Sequence, residues 1–157
     1  MEACIILGSK SDMHVCDKCT NVLDELGVSY QVRIASAHRA PAYLEEVVSS
    51  AVDSGCRVFI GMAGMSAALP GVIASMTPLP VIGVPVSGKV PFDSLLSVVQ
   101  MPPGVPVAAV GVDRGENAAV LAAQIISNSD QNLATRIVEW RASRTAAVIS
   151  DDQSLGG

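Results

Sequence analysis

Two hydrophobic rhythms alternate along this chain. Short apolar or apolar-leaning runs occupy residues 3–7, 28–34, 57–61, 80–86 and 105–112, and each predicts a strand. Between them, apolar residues recur every three or four positions. Val15, Cys19, Val22, Leu23 and Leu26 make such a stripe across residues 13–26, which predicts a helix ended by Gly27. Ser11 or Asp12 is placed to cap it. Residues 41–54 repeat the pattern with Leu44, Val47, Val48 and Ala51. Further helices are predicted at 68–76, 93–99, 116–127 and 131–148.

Strand and helix therefore alternate throughout, and the strands are continuous rather than alternating in polarity. That is the signature of a parallel sheet covered on both faces. The reading is α/β: a three-layer αβα sandwich around a doubly wound parallel sheet. One domain is expected over residues 1–149, with a disordered tail over 150–157. In such sheets ligands bind beyond the carboxyl ends of the strands. Three early loops leave those ends: residues 8–12, 35–40 and 61–67.

Composition sharpens the picture in three ways. Half of the 157 residues are hydrophobic, 16% are charged and mean hydropathy is +0.44. No apolar run reaches the ~18 to 20 residues of a membrane span. The surplus apolar surface points to subunit interfaces, so a homo-oligomer is expected. The net charge of −5 argues against non-specific nucleic-acid binding, and 3% aromatic content offers few base-stacking platforms. Strand-like sequence begins at Ala3 with no secretory leader ahead of it, and Cys4, Cys16, Cys19 and Cys56 read as reduced thiols, so a cytoplasmic protein is expected.

The chemistry concentrates in the three loops. Ser36-Ala37-His38-Arg39 sets a histidine, the side chain closest to titrating at neutral pH, beside an always-charged arginine that suits phosphate or carboxylate. That placement favours His38 as an acid/base over a surface or capping role. Gly8-Ser9-Lys10-Ser11-Asp12 joins a strand to a helix N-terminus. Taken alone it reads slightly more as an ordinary capped turn than as an anion site with hydroxyl donors and a carboxylate for sugar hydroxyls. Ala63-Gly64-Met65-Ser66-Ala67-Ala68-Leu69-Pro70-Gly71 is either a close approach of backbone to ligand or tight helix–sheet packing. The 8–12 loop carries neither a Walker nor a dinucleotide fingerprint. Cys16 and Cys19 form a C-x-x-C without a second ligand pair, so they read as core and helix residues rather than a zinc or redox site. His14 reads as structural or exposed, and Trp140 as a packing residue of the last helix.

Taken in order, these segments carry a resemblance. Gly8-Ser9-Lys10-Ser11-Asp12, Ser36-Ala37-His38-Arg39, Ala63-Gly64 with Leu69-Pro70-Gly71, Pro80-Val81-Ile82-Gly83-Val84-Pro85-Val86 and Asp93 to Pro102 resemble the purine-biosynthetic PurE family. This family comprises 5-aminoimidazole ribonucleotide carboxylases and N5-carboxyaminoimidazole ribonucleotide mutases, and the similarity covers about residues 3–145. It implies a flavodoxin-like sandwich, assembly as an octamer with sites at subunit contacts, and no ATP, metal or organic cofactor. It implies that Ser9, Ser11 and Arg39 hold a 5′-phosphate, that Asp12 binds ribose hydroxyls and that His38 is the acid/base. Ser36, Ala37 and Leu69 join the substrate-binding set. The turn Ala63-Gly64-Met65-Ser66 would cover the imidazole and carbon dioxide.

The third loop departs from the mutase pattern. Ala68 stands where that branch carries a histidine, and Ser66 with Ala68-Leu69 leans toward the direct carboxylases. Tyr30 to Ile34 leans the same way. Arg39, Pro70, Val84-Pro85-Val86 and Gln100-Met101-Pro102 lean toward the mutases, and the mutase reading is favoured. A non-catalytic nucleotide-binding module is the reading from a different class, because fold alone does not assign function.

Overall fold

The computed structural model describes residues 1–156. Five strands, β1 (Ala3–Leu7), β2 (Tyr30–Ile34), β3 (Val58–Ala63), β4 (Val81–Pro85) and β5 (Ala108–Ala109), form one parallel sheet in the order β2-β1-β3-β4-β5. The helices are α1 (Met13–Leu26), α2 (Pro41–Asp53), α3 (Leu69–Met76), α4 (Pro91–Val99), α5 (Gly115–Ser127) and α6 (Gln131–Ser154). This strand order is the flavodoxin-like arrangement, and its direction of winding reverses between β1 and β3.

Two cores make the three layers. Alternate residues of β1 point to opposite faces, as the period of a strand requires. Ile5 and Leu7 join Val15, Leu23, Ala118, Ala122, Ile126 and Leu133 beneath α1, α5 and α6. Cys4 and Ile6 join Leu44, Val48, Phe59, Ile73 and Val98 beneath α2, α3 and α4. The small side chains of α5 let it lie close on α1, and a Cβ on Gly115 would overlap the Val15 carbonyl oxygen.

The elements differ from the expected ones in a few places. β5 pairs only through Ala108 and Ala109, against the expected run of 105–112. It is the last strand at that edge, and Pro106 has no N–H to give a ladder. β2, at the other edge, is only partly buried rather than a continuous core strand. α6 continues to Ser154, past the expected end at Val148 and into the tail expected from Ser150. No proline or glycine interrupts it before Gly156, although every residue from Arg141 to Gly156 is exposed. The cap before α1 is also corrected. A 3-10 turn, Lys10–Asp12, precedes the helix and Ser9 caps that turn, while Asp12 makes no side-chain cap to α1. All four cysteines are buried and free, including Cys16 and Cys19.

Candidate active site

The switch point of the sheet lies between the carboxyl ends of β1 and β3, and the first loop is anchored there. The Gly8 amide donates to the Met62 carbonyl at 3.0 Å. The chain then closes a capping box: the Ser11 amide donates to Ser9 Oγ at 3.4 Å, and the Ser9 amide donates to Asp12 Oδ2 at 3.0 Å. The Ser11 hydroxyl donates to Asp12 Oδ1 at 3.2 Å. Asp12 is 6% exposed. Burial pushes its carboxyl above the ordinary value, and the Ser11 and Ser9 hydrogen bonds with the His14 and Arg39 charges offset only part of that. Each carboxylate oxygen still has lone pairs beyond the bond it accepts.

The second loop is tied to the first. Ala35 donates to the Leu7 carbonyl at 2.9 Å as β2 ends. The Ser36 hydroxyl oxygen accepts from both the Arg39 amide, at 3.2 Å, and Arg39 Nε, at 3.3 Å. Arg39 Nη2 then donates to the Gly8 carbonyl at 3.0 Å. The arginine thus bridges the loops after β1 and β2 with two of its five guanidinium N–H groups. His38 is exposed in the turn between Ala37 and Arg39.

The third loop leaves β3 at Ala63. Met65 takes a left-handed φ of +55° and is 73% exposed. The Ala67 amide donates to the Met65 carbonyl at 3.0 Å and the Ala68 amide to the Ser66 carbonyl at 2.7 Å. A Cβ on Gly64 would sit 3.2 Å from the Val86 carbonyl oxygen, so glycine lets this turn lie against the end of β4. Leu69, expected among the substrate-binding residues, has its side chain 2% exposed in the core beneath α3. Any part it takes in the site is through its main chain, at a helix start whose amides lack helical acceptors.

Ser9, Ser11, Asp12, Ser36, Ala37, His38 and Arg39 therefore lie on the two linked loops at the switch point. Ala63, Gly64, Met65 and Ser66 form the turn beyond β3. His14 is exposed, with Nδ1 2.9 Å from the Ser11 carbonyl oxygen. Trp140 packs partly against the core and donates to Glu25 on α1. Among the described residues, no group of three or more His, Cys, Asp or Glu is placed to hold a metal ion.

The AIR carboxylase family model matches residues 2–147. The chain belongs to the AIR carboxylase family. It is 50% identical to the N5-carboxyaminoimidazole ribonucleotide mutase of Methanocaldococcus jannaschii, over 97% of this chain and 96% of that protein. It is 43% identical to the chloroplastic phosphoribosylaminoimidazole carboxylase of Vigna aconitifolia, over 96% of this chain but 27% of that protein. In structure it is similar to a variant of Treponema denticola PurE2, with a TM-score of 0.91 and 28% identity over the full length of both chains. The loops after β1, β2 and β3 share one end of the sheet because these strands run parallel.

Sequence reasoning missed two contacts that support these loops. The Gly8 carbonyl holds Arg39, which no side-chain pattern announces. Asp113, in the loop after β5, reaches the end of β4, where its Oδ1 accepts from the Ser87 amide at 2.9 Å. The signal for Asp113 was an acidic residue directly after an apolar strand, at the carboxyl edge of the sheet.

Proposed function

We propose that this chain converts N5-carboxyaminoimidazole ribonucleotide into 4-carboxy-5-aminoimidazole ribonucleotide in purine biosynthesis. The observation that carries the reading is half-identity, over nearly the whole of both chains, to a mutase of that name. The geometry supports it. Arg39 and the hydroxyls of Ser9 and Ser11 provide charged and polar donors for a 5′-phosphate, and the Asp12 carboxylate provides an acceptor for ribose hydroxyls. Ser36 orients Arg39, and Ala37 lines the loop before His38.

In this reading His38 begins protonated. The carbamate N–C bond breaks, carbon dioxide departs, and His38 gives its proton to the departing nitrogen. C4 of the aminoimidazole then attacks the trapped carbon dioxide, a C–C bond forms, and His38 takes the C4 proton. The proton lent in the first step is recovered in the second, so the sequence balances as an isomerisation. Closure by the Ala63–Ser66 turn keeps the carbon dioxide beside C4 and makes its recapture effectively unimolecular.

The same proposal includes a single catalytic domain over residues 1–149, a cytoplasmic location, no cofactor or metal, and no nucleic-acid or membrane partner. No helix among the described residues is long and apolar enough to cross a membrane. It also includes assembly as a homo-octamer with sites completed at subunit contacts. Phe92, Leu96 and Val99 follow one another on one side of α4 and are exposed in the single chain, Phe92 to 77%, as an interface face would be.

Purified protein is to be given N5-carboxyaminoimidazole ribonucleotide without ATP, and native mass measured beside activity. Formation of the C4-carboxylated isomer is expected, and its absence sinks the reading. His38→Asn is expected to lower kcat by about a hundredfold or more while leaving substrate binding measurable by calorimetry. Unchanged turnover removes His38 from the mechanism. A second reading, direct carboxylation of 5-aminoimidazole ribonucleotide, is favoured by Ser66 and Ala68. Efficient turnover of that ribonucleotide with modest bicarbonate would establish it.

A further inference from the structure

The end of β4 is held from its far side by a residue with no part in the proposed chemistry. Asp113 adopts φ +57°, a left-handed backbone that non-glycine residues seldom take and that aspartate tolerates better than most. Its amide donates to the Pro85 carbonyl at 2.9 Å. Its Oδ1 accepts from the Ser87 amide at 2.9 Å. Asp113 therefore brackets Val86, gripping the residue before it and the residue after it. The Val86 amide donates to the Ala63 carbonyl at 2.8 Å, and the Val86 carbonyl oxygen is the atom that Gly64 packs against. From α1, Lys18 Nζ reaches the Asp113 carbonyl oxygen at 3.5 Å. Burial raises the Asp113 carboxyl, but the Ser87 hydrogen bonds with the His14 and Lys18 charges outweigh it and hold the group below the ordinary aspartate value. The acceptor at neutral pH is therefore a carboxylate, the stronger kind.

We propose that Asp113 is a positioning residue: by fixing Pro85 to Ser87 it fixes the Ala63–Ser66 turn that closes over the reacting carbon dioxide. What the turn covers rests on the mutase reading above. The mechanical link from Asp113 to the turn does not.

Two substitutions separate the hydrogen bond from the backbone. Asp113→Gly keeps the left-handed conformation and removes the acceptor. Asp113→Asn keeps a tolerance for that conformation and retains an acceptor oxygen. The first readout is amide hydrogen exchange across residues 63–67 and 86–87. Asp113→Gly raises it about tenfold, the scale of one lost hydrogen bond to a charged group. Asp113→Asn leaves it near the native rate, and α6 is unaffected in both. Unchanged exchange in Asp113→Gly, or an equal rise in Asp113→Asn, overturns the inference.

The second readout is the partition between released 5-aminoimidazole ribonucleotide and C4-carboxylated product. A loosened turn lets carbon dioxide escape, so the released share rises in Asp113→Gly and stays native in Asp113→Asn. Simple loss of folded protein would lower both products together and leave the ratio unmoved, which counts against the proposal. Should Asp113→Gly fail to fold, Asp113→Ser replaces it, with a hydroxyl one atom short of the Ser87 amide. If the native protein does not isomerise the N5-carboxylated substrate, the functional reading alone fails, and the exchange readout decides the role of Asp113.

Discussion

Arg39 Nη2 donates to the main-chain carbonyl of Gly8 at 3.0 Å, joining loops 31 residues apart in sequence. The Ser36 hydroxyl accepts from Arg39 Nε as well, so the guanidinium is oriented before any ligand arrives. Pre-set direction matters for a planar donor whose value lies in its fork geometry.

Arg39→Lys keeps the charge but cannot reproduce two oriented N–H bonds and a free fork. It is expected to lower kcat/KM for the ribonucleotide about ten- to a hundredfold, the range for lost hydrogen bonds to a charged group. Because Arg39 is exposed, folding stability should change by about 1 kcal/mol or less. Steady-state kinetics beside urea denaturation check both parts. Equal kcat/KM in the two proteins would remove Arg39 from substrate binding.

Gly115→Ala tests the contact between α1 and α5. In an open helix the change would favour folding by up to about 1 kcal/mol. Here the added Cβ meets the Val15 carbonyl oxygen in close-packed backbone, so the sign reverses and stability should fall by roughly 1–3 kcal/mol. Chemical denaturation measures it, and a stabilised variant would show that the helices separate freely.

Glu25 gives a spectroscopic handle on the strap between α1 and α6. Its carboxylate accepts from Trp140 Nε1 and from Arg144 Nη2, the latter at 2.6 Å, and Arg144 lies 4.6 Å from the centre of the Trp140 ring. The Trp140 hydrogen bond, with Arg144 beside it, holds the Glu25 carboxyl below its ordinary value. A depressed carboxyl contributes stability that is present above its unfolded value of about 4.3 and is lost as pH falls through the lower folded value. Trp140 is the single tryptophan, so its fluorescence should titrate with a midpoint below about 4.3, and Glu25→Gln should abolish that step. A midpoint at or above that value contradicts the strap.

The thiols should be silent in the native state. Burial pushes Cys4 up to about 12 and Cys16 to about 11, and raises Cys19 and Cys56 in the same direction. At about pH 8 none is appreciably thiolate, the reactive form. A thiol reagent should label the folded protein far more slowly than the denaturant-unfolded chain, which exposes all four cysteines. Fast native labelling of Cys16 or Cys19 would reopen the redox reading of that pair.

Much of this protein was legible before its structure. The apolar runs of residues 3–7 and 80–86 read as strands buried on both faces, and the stripe from Val15 to Leu26 as one face of a helix, because periodicity is a local property. His38 beside Arg39 was visible for the same reason: adjacent residues need no fold to be adjacent. The sequence alone did not determine what held these parts together. The Gly8 carbonyl that orients Arg39, the capping box that turns Asp12 back onto Ser9, and the grip of Asp113 on the end of β4 all use main-chain atoms. Every residue carries those atoms, so residue type announces at most the side-chain half of each of these bonds. Leu69 was drawn toward the substrate by its neighbours in sequence, yet the start of α3 turns its side chain into the core. Those assignments depend on which strand ends the sheet brings side by side, and only tertiary structure decides that.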